Sequence, residues 1–249
     1  MTETEDERYQ RIVTERLVRP LPKRFYRVAS VSETNGILLD GRSVKTPLKA
    51  TLILPNAQLA EAVAAEWRAQ DKLINPAFMP LTKLANTAID RAMPERASVV
   101  KEIVEYAGSD LVCYWAATPP ALVEKQRLHW QPVRDWAEAT LGAKFKIARG
   151  ISHVPQSTEA LALVAGFAEA QDQWRLTVLF LLTTLTGSAL VAAQVVAGAV
   201  TPDAAWASAH VDEDYQIEQW GLDWEAEQRR TSRRREFDGL VTFLKLMEN

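Results

Sequence analysis

Cysteine is almost absent from this 249-residue chain. Cys113 stands alone, so no internal disulfide can brace the fold, and the usage suits a reducing compartment. Histidine is nearly as scarce. His129, His153 and His210 lie far apart and none belongs to an H-x-x-x-H pair, which removes the usual helix-borne zinc arrangement. No G-x-S-x-G elbow occurs, so the commonest exposed serine nucleophile is missing. A basic excess is missing too: 29 Lys and Arg against 32 Asp and Glu give a net charge of −3, the wrong balance for a dedicated nucleic-acid binder. The opening MTETEDERYQ is acidic and polar, without the basic start and apolar run of a signal peptide or the Arg-rich character of a transit peptide. A bacterial-type cytoplasmic protein is the expectation.

What remains is globular. With 47% hydrophobic and 24% charged residues, a chain of this length buries a real core as one large domain or two modest ones. One stretch, Leu176 to Val200, carries no charge, and a membrane span needs only about 20 apolar residues. Gly187 and Ser188 at its middle read as a break between two short buried helices, and no membrane insertion is expected.

The organisation predicted is α+β, with a small β-rich domain followed by a larger α-helical one. Residues 1–22 form a polar arm. Residues 23–78 hold the short β-branched or aromatic runs KRFYRVASV, GILLDGR, SVKTP and TLILP, then one helix, NAQLAEAVAAEWRAQ, that Asn56 can cap. Asn35-Gly36 and Asp40-Gly41 are hairpin signals, because both dipeptides tolerate positive φ. Residues 79–249 read mainly as helices, with stops at Pro94 and Gly108, a break at Pro132 and a cap at Ser157.

Gly36-Ile-Leu-Leu-Asp-Gly41-Arg42-Ser43 matches the spacing of a phosphate loop, with arginine in place of lysine. Such a loop needs flexible backbone leading into a helix N-terminus. ILLD is strand-like and VKTP cannot open a helix, so ATP binding is rejected. Cys113, in the apolar run LVCYWA, reads as an inert core thiol. The arginines at 229, 230, 233, 234 and 235 read as a helix face that partly neutralises the acids before them.

Those acids sit in HVDEDYQIEQWGLDWEAE, His210 to Glu227. Thr201 suits the N-cap, Pro202 the first helical position and Gly221 the stop, so residues 201–220 are predicted to form one helix. At about 100° per residue, Trp206, Glu213, Ile217 and Trp220 share a stripe, while Asp214 and Glu218 lie together on another face. Glu213 and Glu218 therefore do not converge on one metal ion. A carboxylate among apolar side chains must be paired, protonated or met by a partner's counter-charge. Three readings stay open: an internal salt bridge to a following arginine, a small hydrolase-like enzyme using Glu213 with His210 or Asp214, or a protein-binding surface.

RFYRVASV, LLDGRSVKTP, LAEAVAAEWRAQ, INPAFMPLTKLANTAID and above all DEDYQIEQWG resemble the assembly chaperone of the F-type ATP synthase, the factor that holds the alpha subunit of the catalytic head. The similarity runs from about Arg24 to Asp90, thins through DLVCYWA and returns from Gly187 to Glu227. The resemblance implies a protein with no enzymatic activity and no cofactor, and the start without transit-peptide character suggests a bacterial member. It would bind the unassembled alpha subunit and shield its beta-facing surface until exchange. The implied fold is a small β-rich domain joined to a helical one. The family's functional acidic positions carry over to Glu213 and Glu218, and Trp220 with Gly221 matches the motif as well. The expected partner-binding set is Glu213, Glu218, Trp220, Asp214, Trp206 and Ile217, on a chain expected to be monomeric and to contact no nucleic acid.

Overall fold

The computed structural model describes residues 20–150, 152–221 and 223–248. The polar arm expected over 1–22 lies almost wholly outside them. Strands β1 (Ala29–Val31), β2 (Ile37–Leu39) and β3 (Arg42–Ser43) form an antiparallel sheet in the order β1-β2-β3. Ala29 stands opposite Leu39, and Leu39 opposite Arg42. Asp40 (φ 47°) and Gly41 (φ 77°) make the second turn, both left-handed as a two-residue turn of this kind requires. TLILP does not form the strand expected of it. It is held by single bridges, Gly36 to Ile53 and Lys45 to Thr51, which still carry Leu52 and Leu54 into the core.

Helix α1 (Ala57–Arg68) begins where Asn56 accepts a hydrogen bond from the Leu59 amide, and buries Leu59 and Val63. Its Glu66 caps the next helix, α2 (Pro80–Thr87), from outside. The carboxylate accepts from the amides of Leu81 and Thr82 at 2.7 and 2.8 Å and from Thr82 Oγ1 at 2.7 Å. These donors are orphans of the helix N-terminus, so one acid ties the sheet region to the helical one. Burial nonetheless pushes the Glu66 carboxyl above its usual value.

The helical region continues with α3 (Arg96–Gly108), a two-residue strand β4 (Tyr114–Trp115) and α4 (Pro120–Trp136). A second short strand, β5 (Ala148–Arg149), pairs in parallel with β4. Then come α5 (Thr158–Glu169), α6 (Gln173–Thr186), α7 (Ala189–Val196), α8 (Pro202–Ala209), α9 (Val211–Trp220) and α10 (Trp224–Met247). A continuous core runs from Tyr26 to Leu244 through sheet and helices alike. The architecture is α+β, a small sheet followed by a larger helical body.

Helix α4 passes through Pro132 without the predicted break. Gln126, Trp130 and Val133 are buried on either side, and Trp130 Nε1 donates to the Ser208 carbonyl at 2.7 Å. Packing on both flanks outweighs the one backbone hydrogen bond that proline removes.

The uncharged run splits as its sequence implied. Gly187 ends α6 at φ 70°, and the Ser188 side chain opens α7 by accepting from the Val191 amide. Among the described residues, no helix is long and apolar enough to cross a membrane. Every residue of α7 is buried. Asp110 helps close its N-terminus, accepting from the Leu190 amide at 3.0 Å and the Val112 amide at 3.2 Å. Complete burial pushes that carboxyl up to about 6. Burial pushes the Cys113 thiol up to about 12, which leaves it inert at neutral pH.

Candidate protein-binding surface

The helix predicted over 201–220 breaks at His210, where φ is −123° and ψ 18°. A side chain causes it. His210 Nδ1 donates to the Trp206 carbonyl at 2.8 Å, the acceptor that the His210 amide would take in an unbroken helix. The amide turns to Ala207 instead, and the next helix restarts when Asp214 donates to His210. The imidazole stacks on the Trp206 ring with centroids 3.7 Å apart, fixing the exchange.

The break separates residues expected on one stripe. Trp206 is only 7% exposed, lying under the guanidinium groups of Arg230 and Arg234 and edge-on to Phe237. Trp220, at the end of α9, is 79% exposed. Ile217 is half-buried and Glu218 exposed. Trp206 is thus a packing residue beneath the surface rather than part of it.

Helix α9 buries only Val211, so polar clips hold it. On the α4 side, Lys125 Nζ lies 2.8 Å from Glu218, and Gln126 Nε2 donates to Asp212 at 2.7 Å. On the α10 side, Arg230 pairs with Asp214 and lies 3.3 Å from Glu213. Both carboxylates keep about a third of their side-chain surface exposed. The remaining arginines are engaged as well. Arg234 binds Asp203 and Asp238, Arg233 donates to the Leu185 carbonyl, and Arg235 stacks on Phe78.

This geometry gives the enzyme reading little to work with. His210 Nε2 is 3.9 Å from Glu213, beyond hydrogen-bond distance, and the ring is buried. Burial first, then the nearby Arg233 and Arg230, push the His210 pKa below its ordinary value; the Trp206 carbonyl and Glu213 push the other way. An open depression of about 610 Å³ lies beside Trp206 and is lined by Arg230, Arg234 and Asp238, but neither Glu213 nor His210 lines it. Among the described residues, no three His, Cys, Asp or Glu side chains are grouped to hold a metal ion.

Sequence reasoning passed over four residues that matter here. Lys125 and Gln126 come from a distant segment and carry no local signal. Arg230 was visible only as one of five arginines. Trp224, in the first turn of α10, is 72% exposed; an indole three residues past the Gly221 stop, beside the helix-capping Asp223, was the available clue.

The helical body presents bare indoles among carboxylates, and comparison with known proteins places the fold in a family. The model of the ATP12 chaperone protein family matches residues 23–138. The fold is similar to a candidate chaperone from Agrobacterium tumefaciens, at 40% identity and TM-score 0.83 over 93% of this chain and 88% of that one. Atp12 from Paracoccus denitrificans is 36% identical, with TM-score 0.80 over 90% of this chain and 98% of that one. An aspartate-to-lysine mutant of the Paracoccus protein matches equally well, over 97% of its length. The chain belongs to the ATP12 chaperone family.

Proposed function

We propose that this protein is an assembly chaperone for the catalytic head of the F-type ATP synthase, binding the unassembled alpha subunit and covering its beta-facing surface until the beta subunit takes over. One observation carries the reading: α9 ends in a bare Trp220 and buries only one of its ten residues. Large exposed aromatics are costly on a protein with no use for them. They are the side chains that dominate the energetics of protein interfaces.

The logic of exchange suits this surface. An orphan subunit exposes an apolar interface that aggregates. Its cover must bind with moderate affinity, so that the true partner displaces it by mass action. Trp220, Ile217 and Glu218 make the outer part of the proposed contact. Glu213 and Asp214 orient α9 through Arg230, and Trp206 supports them from below.

Co-purification with the organism's own free alpha subunit, with beta subunit as control, tests this. Selective capture of alpha, lost in a folded Trp220→Ala variant, is the expected result. Capture of neither subunit, or of both alike, rejects the proposal. Glu213→Lys separates two roles for that acid: unaltered capture by a folded variant would leave Glu213 an internal partner of Arg230 alone.

A further inference from the structure

The corner where α9 meets α10 has a chemistry of its own. Trp220 closes one helix and Trp224 opens the next, with Gly221 (φ 80°) turning the chain between them. Both indoles are more than 70% exposed. Between Asp212 and Glu227 the sequence places seven carboxylates and no lysine or arginine. Among the described residues, three cations pair with them, namely Lys125, Arg229 and Arg230. The excess of four negative charges left over exceeds the net −3 of the entire chain. The segment that carries Trp220 and Trp224, two of the three most exposed aromatic side chains among the described residues, therefore holds an excess of negative charge.

We propose that this corner takes a basic, amphipathic segment of the client, whose lysine or arginine side chains lie against the Trp220 and Trp224 rings while its apolar residues cover the indole edges. The inference rests on the chaperone reading above and specifies which chemistry of client that surface accepts. An aromatic face attracts a cation through its quadrupole, and the surrounding carboxylates add charge complementarity that orients the encounter and weakens with salt. An acidic segment or an anionic lipid surface would instead meet four uncompensated like charges.

The probe is a fluorescein-labelled amphipathic peptide of leucine and lysine, compared with a leucine–glutamate peptide of the same pattern, measured by anisotropy against the full-length protein. The lysine peptide binds and the glutamate peptide does not. Trp220→Ala combined with Trp224→Ala weakens binding at least about tenfold, the scale of lost interface anchors, without moving the thermal midpoint. Glu225→Lys with Glu227→Lys weakens it as well. Glu33→Lys with Glu95→Lys, exposed acids elsewhere on the surface, leaves it unchanged. Equal binding of both peptides, or equal loss in the control pair, overturns the proposal.

Competition against purified alpha subunit separates this inference from the one beneath it. Alpha captured but not displaced by the lysine peptide removes the basic-segment chemistry and keeps the chaperone function. Lysine peptide bound at the corner with alpha not captured keeps the corner and removes alpha as the client.

Discussion

Helices α7 and α9 are of similar length and opposite character. All eight residues of α7 are buried, and its N-terminus is closed by the Ser188 side chain and by Asp110 from outside the helix. Only Val211 of α9 is buried, and ion pairs from α4 and α10 hold the rest in place. Apolar burial contributes about 25 cal/mol per Å², whereas an exposed ion pair contributes about 0–1 kcal/mol. One helix is therefore fixed by the core. The other is positioned with little energy and keeps its aromatic end free for use.

That contrast makes an ordered set of predictions. Leu190→Ala in α7 should cost about 2–5 kcal/mol in denaturant unfolding, the range for emptying a packed leucine site. A loss under about 1 kcal/mol would show that α7 is not the anchor described. Asp110 comes next. Its folded carboxyl titrates near 6, above its ordinary 3.8, so the folded state holds a proton that the unfolded state releases. The resulting stability is fully present below the ordinary value and lost as pH rises through about 6, a difference approaching about 3 kcal/mol. Asp110→Asn should remove that slope between pH 4 and 6, and parallel pH profiles for variant and parent would refute the account.

Arg230→Ala should cost about 1 kcal/mol, because its carboxylate partners are partly solvated. Its mark should be local: faster amide exchange across α9, with α7 protected as before. Exchange that rose equally in both helices would erase the distinction between them. Trp220→Ala should move global stability least, within about 0.5 kcal/mol, while lowering capture of the alpha subunit at least about tenfold. A large drop in stability would mean that Trp220 serves the fold.

Signals confined to a few neighbouring residues were legible in the sequence. Asn56, Ser157, Ser188 and Thr201 accept from amides at helix starts, and Gly187 and Gly221 stop helices, because each acts within one turn. The break at His210 was not legible, since it depends on an imidazole outcompeting its own backbone amide for the Trp206 carbonyl. Continuity through Pro132 depended on burial supplied by α8 and its neighbours. Once His210 changed the helical phase, the predicted stripe dissolved: Trp206 went under and Trp220 went out. The acidic segment itself stood out in the sequence through its crowded carboxylates. An internal salt bridge from Glu213 to a following arginine was one of the readings left open, and Arg230 supplies that contact.

Helix α10 has a mechanical consequence. Twenty-four residues at about 1.5 Å each make a strut roughly 36 Å long. Trp224 stands at one end. Toward the other, Gly239 lies so close to Pro80 that an added Cβ would sit 2.5 Å from the proline ring, and Asn56 grips the Leu246 carbonyl at 2.8 Å. The far part of the strut is therefore seated closely on Pro80 and held at Asn56, and a residue as small as alanine at position 239 would shim that seat out of alignment.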